Sequence, residues 1–165
     1  MCRRAIELQE RHISGKVGLL IVGARTRLGY VYYCQGRYDD AIREYELELD
    51  FLSSTAHALR ERAVIEVHQK LGAAHLRLGN ASAAETHFNL AVELFDARVA
   101  SGADDPSTRF YVAAVWALRA NAEQAVRHLS ASMALLPAIT RIRAQFDADF
   151  DAIRDDERFA SLLKE

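Results

Sequence analysis

A constant spacing between small residues recurs three times along this chain of 165 residues. A Gly or Ala is followed 12 residues later by an Ala in three pairs: Gly29 and Ala41, Gly72 and Ala84, and Ala113 and Ala125. A Gly inside a helix costs about 1 kcal/mol relative to Ala, so Gly29 and Gly72 are expected where two helices approach closely. Self-similarity at a fixed period therefore predicts an array of helical hairpins.

The composition agrees with an all-α fold and excludes several functional classes. Hydrophobic residues make up 50% of the chain and charged residues 27%, with only two Pro. The net charge of −2 gives no general attraction to nucleic acid or to an anionic membrane. Two cysteines form no disulfide framework, and the most apolar run, Val17 to Ala24, is too short to span a bilayer. These features predict a cytoplasmic protein.

Further residues accompany the small pairs. The first segment contains Leu28-Gly29-x-x-Tyr32 and then Gly36, Ala41 and Tyr45. This arrangement resembles the tetratricopeptide repeat, with its pattern W-x-x-L-G-x-x-Y, then A-x-x-x-F, then P. The Gly between the helices allows the left-handed conformation that ends the first helix. The segments recur at 43 and 41 residues rather than at the standard 34. The resemblance therefore implies a right-handed α-solenoid of antiparallel hairpins with elongated repeats of about 42 residues.

The resemblance implies one domain over residues 1–165. Its expected parts are a remnant helix of a preceding repeat (1–14), three hairpins (15–55, 56–100 and 105–136) and a C-terminal helical cap (137–165). Lys16–Gln35 and Ala56–Leu78 are expected to be long unbroken helices. Asp105 before Pro106 predicts a helix start.

The segment from Phe146 onward is similar to the closing segment of many bacterial tetratricopeptide proteins, which implies a bacterial source. A solenoid needs such an end cap with one polar face. The apolar residues expected to cover the last hairpin are Phe150, Ile153, Phe159, Leu162 and Leu163.

In repeats of this type the first helices line a concave groove, and the groove positions follow from the repeat register. The predicted partner-binding residues are Thr26, Tyr30, Tyr33, Glu66, Gln69, Arg77, Phe110 and Leu118, and Cys34 and Leu76 occupy further positions. Only Arg77 suits a carboxylate clamp, so the groove favours an amphipathic helix or an extended apolar peptide. In the alternative interpretation, the groove is filled by Val17 to Ala24, by the tail or by a second copy.

Two groups of residues, one of aspartates and one of histidines, could be considered as metal ligands. Asp147, Asp149 and Asp151 are spaced like calcium ligands, but Ala152 and Arg158 stand where an EF-hand loop needs Gly and Glu. The calcium site is therefore not expected.

His68, His75 and His87 form the other candidate cluster. No acidic ligand accompanies them, and His75 occupies the Tyr position of the repeat, so packed histidines are expected.

The sequence predicts a protein-interaction scaffold rather than an enzyme, with no cofactor. A partner protein or peptide would bind in the apolar groove, and the chain would suit the C-terminal module of a larger bacterial signalling or regulatory protein. One alternative is a self-assembling structural protein whose groove or solenoid end is buried in a homo-oligomer. A metal- or ligand-binding enzyme that uses the three histidines is the other.

Overall fold

The structure is a computed structural model that describes residues 3–7 and 22–164. Every regular element in these ranges is helical and none of them is a strand, which confirms the all-α prediction. The helices are α1 (Ala24–Cys34), α2 (Tyr38–Ser54), α3 (Arg60–Arg77), α4 (Ala81–Ala100), α5 (Pro106–Leu118), α6 (Ala122–Leu135), α7 (Pro137–Phe146) and α8 (Glu157–Lys164). A 3-10 helix at Ala148–Ile153 separates α7 from α8, and residues 3–7 are also helical.

The chain forms two compact units, Met1–Ala84 and Glu85–Glu165, and the division falls within α4. The predicted second hairpin, residues 56–100, spans this division and stays a prediction. In the first unit α1 contacts both α2 and α3, and α2 contacts α3. In the second unit α5 contacts α6 and the 3-10 helix, while α6 contacts α7 and α8.

Four helices end in the same type of turn. The residues that turn the chain are Gly36, Gly79, Gly102 and Ala120, with φ angles of 73°, 77°, 84° and 55°. At the end of α1, the N–H of Gly36 donates to the carbonyl of Tyr33 at 3.0 Å, and that of Arg37 to Tyr32 at 2.9 Å. This is the Schellman arrangement, which satisfies carbonyls left unpaired at a helix end. The left-handed glycine predicted at position 36 is confirmed, and Gly79 has the same conformation at the end of α3.

Gly29 lies where α1 meets α2. A Cβ atom at this position would be 2.5 Å from Cε1 of Tyr45 and 3.1 Å from the carbonyl oxygen of Ala41. Ala41 and Tyr45 are both fully buried. The first small pair is therefore a contact point between the two helices, as the 12-residue spacing predicts.

The third small pair lies in the second unit. Ala113 on α5 and Ala125 on α6 are fully buried. The N-terminus of α5 is capped by Asp105, whose Oδ1 accepts from the N–H groups of Ser107 at 3.0 Å and Thr108 at 3.1 Å. The helix start predicted at Asp105 and Pro106 is confirmed.

Both predicted long helices are too long at their N-terminal ends. α1 begins at Ala24, because Gly23 has φ 87° and turns the chain. The earlier part of Lys16–Gln35, residues 16–21, lies outside the described residues. α3 begins at Arg60 rather than at Ala56. There His57 Nδ1 accepts the N–H of Leu59 at 3.1 Å, and Thr55 is extended.

The C-terminal segment carries three apolar side chains into the second unit. Phe150, Ile153 and Phe159 are buried, while Leu162 and Leu163 are half-buried. The rings of Phe150 and Phe159 are stacked with centroids 5.6 Å apart. The apolar side of the predicted cap therefore faces the core of this unit.

Candidate protein-binding surface

The residues predicted to line the groove divide between the two units. Thr26, Tyr30 and Tyr33 lie on α1, Glu66, Gln69 and Arg77 on α3, and Phe110 and Leu118 on α5. The first six therefore belong to the first unit and the last two to the second.

Aromatic and cationic side chains join α1 to α3 in the first unit. The rings of Tyr30 and Tyr33 are stacked, 6.3 Å apart and 14° from parallel. The Lys70 ammonium lies 4.9 Å from the Tyr30 centroid, within the range of a cation–π contact. Arg77 donates from Nε to the hydroxyl of Tyr33 at 3.1 Å. We call Tyr30, Tyr33, Lys70 and Arg77 the tyrosine face.

Two residues of the tyrosine face are exposed and the other two are buried. Tyr30 is 37% exposed and Arg77 is exposed, whereas Tyr33 and Lys70 are buried. Leu76 and Cys34, at further predicted groove positions, are exposed as well. The buried pair contacts Tyr30 and Arg77, whose side chains are exposed at the surface of the first unit.

Three other predicted residues of the first unit are less accessible. Thr26 and Gln69 are buried, so a partner cannot contact them directly, and Glu66 is half-buried. The repeat register assigned all three residues to the groove, but it does not reveal that the folded unit buries two of them.

Phe110 does not lie on an accessible surface of the second unit. It is 1% exposed, its ring is 5.4 Å from that of Phe150, and the Arg143 guanidinium lies 3.9 Å from its centroid. The C-terminal segment therefore covers this predicted groove position, as in the self-filled alternative. Leu118 is half-buried.

Lys70 and Arg143 contact predicted groove residues, but the sequence analysis did not identify them. Lys70 lies seven residues before Arg77, so helical periodicity alone places both cations on one side of α3. This spacing could have identified Lys70 as a neighbour of Arg77 from the sequence alone. Arg143 follows the turn into α7, and its contact with Phe110 depends on how the C-terminal segment folds back.

A cavity of about 320 Å³ lies in the first unit between residues 3–7 and the helices α1 and α2. Its charged groups are already paired: Arg25 lies 3.0 Å from Glu44, and Arg3 donates to the Tyr32 hydroxyl at 2.8 Å. The hydrogen bond from Arg3 to Tyr32 raises the pKa of this arginine. Both arginines of the cavity are therefore held by other side chains of the first unit.

Within residues 3–7 and 22–164, no group of three or more His, Cys, Asp or Glu side chains is arranged to hold a metal ion. Asp147 instead accepts the N–H of Asp149 at 3.1 Å, and Asp151 pairs with Arg154 at 2.6 Å. These acids organise the turn into the 3-10 helix.

No helix in the part of the chain that the structure describes is both long and apolar enough to cross a membrane. No protein-family model matches the sequence, and no curated protein is significantly similar to it. The resemblance to the tetratricopeptide repeat therefore rests on the residues themselves.

Proposed function

We propose that this chain is a protein-interaction module of the tetratricopeptide-repeat type that binds a partner segment on the tyrosine face. The main observation behind the proposal is the set of side-chain contacts that connects α1 with α3. There an exposed Tyr30 and an exposed Arg77 are held by the buried Lys70 and Tyr33. An aromatic side chain and an Arg on a fixed support are the residue types that dominate binding energy at protein interfaces.

Two further features support the repeat assignment. The close contact at Gly29 and Ala41 follows the predicted register. The left-handed turn residues at 36, 79 and 120 recur at the same 43- and 41-residue intervals as the small pairs. In a right-handed solenoid of such hairpins, α1 and α3 would be neighbouring first helices, which line the concave side.

The accessible side chains define the chemistry of the partner. Tyr30 and Leu76 offer apolar contact, and Arg77 offers a cation at its edge. An amphipathic helix or an extended apolar peptide with an acidic residue beside its apolar side chains fits this surface. The proposal places the chain among non-catalytic scaffolds, as a cytoplasmic module of a bacterial signalling or regulatory protein.

The test is site-specific photocrosslinking followed by a binding titration of matched variants. A photoreactive phenylalanine analogue at position 30 is expected to crosslink a protein from a bacterial lysate, and mass spectrometry maps the crosslinked segment. A synthetic peptide of that segment is then titrated against the wild-type chain and against Tyr30→Ala/Arg77→Ala. Its dissociation constant is expected to rise at least about tenfold, the loss typical of one interface hot spot.

Leu47→Ala supplies the matched control, because Leu47 is similarly exposed but lies on α2. It should bind the peptide as the wild-type chain does. Equal affinity of the double variant and the wild type would contradict the proposal.

A further inference from the structure

An apolar stripe on α7 is the largest group of exposed hydrophobic side chains in the second unit. Ile139, Ile142 and Phe146 are 60%, 59% and 76% exposed, and their spacing of three and four residues places them on one side of the helix. Leu135 and Leu136, directly before α7, are 60% and 42% exposed. We call these five residues the α7 stripe.

The helix α7 is oriented so that the α7 stripe faces solvent. On the opposite side of the helix Thr140 and Ala144 are buried, and the Thr140 hydroxyl lies 3.2 Å from that of Ser132 on α6. Arg143 is held against the Phe110 ring at 3.9 Å. Turning the stripe inward would break both contacts, so the second unit cannot bury the stripe by rotating this helix.

The stripe also lacks charge. The charged residues of α7 are Arg141 and Arg143, and the second of these points into the unit. The nearest charged groups outside α7 lie at its C-terminal end, where Arg154 donates to the carbonyls of Gln145 and Asp147 and pairs with Asp151. Charge-poor, strongly apolar surfaces are characteristic of homodimer interfaces, whereas transient hetero-complexes are more polar.

The exposed area is of the size that a two-fold contact requires. Five large side chains at these exposures present roughly 500 Å² of apolar surface, within the range of the largest and often functional patches of monomers. The neighbouring Ala134, Pro137, Ala138 and Gln145 are exposed and would add to the contact. Together they approach the ~800 Å² per partner of a standard interface.

We propose that the α7 stripe is a self-association surface, on which a second copy of this chain places its own α7 in antiparallel orientation. A two-fold axis near Ile142, the middle of the helical part of the stripe, brings Ile139 of each copy opposite Phe146 of the other. A two-fold contact uses the same patch on both chains, so one apolar stripe is sufficient. The dimer would display two copies of the tyrosine face and bind a bivalent partner with higher avidity.

Light scattering during gel filtration at increasing concentration tests the proposal with the full chain. The wild-type chain is expected to reach twice its monomer mass. Ile142→Glu/Phe146→Glu is expected to stay monomeric at concentrations where the wild type is dimeric, a shift in dissociation constant of roughly a hundredfold or more. Leu47→Glu/Leu94→Glu adds the same charge at exposed positions of α2 and α4 and should dimerise normally.

Disulfide trapping provides a second, independent measurement. Ile142→Cys in a chain whose Cys2 and Cys34 are replaced by Ser should form an intermolecular disulfide under mild oxidation, because the axis brings the two copies of residue 142 together. Leu47→Cys in the same background should not. Three results would overturn the proposal: a wild-type chain that is monomeric at all concentrations, dimers that the stripe variant leaves intact, or equal trapping at both positions.

Discussion

Ala120 occupies the left-handed position at the end of α5, where α1 and α3 have glycine. A non-glycine residue in this conformation pays about 1 kcal/mol because its Cβ crowds the backbone. We expect Ala120→Gly to raise the free energy of unfolding by about 0.5–1 kcal/mol. Gly79→Ala should lower it by a similar amount, since a Cβ at Gly79 would meet no atom within 4 Å and only the backbone cost remains.

Urea unfolding followed by circular dichroism measures both changes. Gly36→Ala, at the equivalent turn with equally open surroundings, is the internal replicate. A loss of stability in Ala120→Gly would show that the φ of this residue is not a source of strain.

His128 is a buried titratable side chain of the second unit, and we expect it to make this unit sensitive to acid. It is 6% exposed, and its ring lies 5.4 Å from that of Phe95. Burial, with the neighbouring Arg127 and Arg109 cations, lowers its pKa from 6.5 to about 4. Between these values the unfolded chain binds a proton that the folded chain does not. The free energy of unfolding should therefore fall as the pH drops from about 6.5 to about 4, by up to about 3 kcal/mol.

The matched variant for this prediction is His128→Leu, which cannot take up the proton. We expect the fall in stability between pH 7 and pH 4.5 to be shallower in this variant than in the wild type, by denaturant unfolding at each pH. Carboxylate titration contributes equally to both proteins and cancels in the difference. His68, whose burial also lowers its pKa, retains its smaller effect in both. If the free energy of unfolding had the same pH dependence in both proteins, burial would not disfavour the protonated imidazole of His128.

At the scale of elements, α1 is capped by a side chain of α2. The N-cap residue Gly23 has no side chain of its own. The N–H groups of Gly23 and Arg25 donate instead to the Glu48 carboxylate at 2.7 and 3.0 Å. An anionic group at this end also favours the helix dipole. We expect Glu48→Ala to lower the free energy of unfolding by about 2–3 kcal/mol, because it leaves buried N–H groups unpaired.

Glu48→Gln keeps the size of the side chain and one accepting oxygen, so a smaller loss is expected. Glu46→Ala, an exposed position on the same helix, should change stability by no more than about 0.5 kcal/mol. Hydrogen exchange at Gly23 and Arg25 locates the effect. Unchanged exchange at these amides in Glu48→Ala would contradict the capping role.

The contrast between α1 and α5 shows which helix starts can be predicted from sequence. Asp105 caps α5 through the N–H of Ser107, only two residues later. Because the capping residue is adjacent in sequence, the pair Asp105-Pro106 predicts this helix start. Glu48 lies 25 residues after Gly23, and only the folded hairpin brings them together. The apolar sequence around Gly23 therefore resembles a continuing helix. The start of α5, which has a local signal, was predicted correctly, whereas the start of α1, which a distant side chain caps, was not.

At the scale of the whole molecule, the same limit applies to the candidate surface. The repeat register assigned Tyr30 and Arg77 to the groove, and these residues lie on α1 and α3, two contacting helices of the first unit. It also assigned Phe110 to the groove, but this side chain is only 1% exposed. The C-terminal segment then covers it through Phe150. The repeat register predicts on which side of its helix a residue lies. Whether another segment of the chain covers that side depends on tertiary contacts, which local sequence patterns do not predict.

Phe146 and Phe150 lie four residues apart and have opposite roles, which leads to the last prediction. Phe150 is fully buried, with its ring 5.4 Å from Phe110 and 5.6 Å from Phe159. Phe150→Ala should therefore lower the free energy of unfolding by about 3–5 kcal/mol. Phe146 is 76% exposed, so Phe146→Ala should be nearly neutral at concentrations too low for self-association.

Hydrogen exchange distinguishes the two variants within the second unit. In Phe150→Ala, amides of α5 should lose protection because the 3-10 helix that contacts α5 loses its anchor. In Phe146→Ala at low concentration, the protection of α5 should be unchanged, and only assembly at high concentration should weaken. If both variants lost stability equally, α7 would be covered within the chain, and the stripe would belong to the core rather than to a contact between copies.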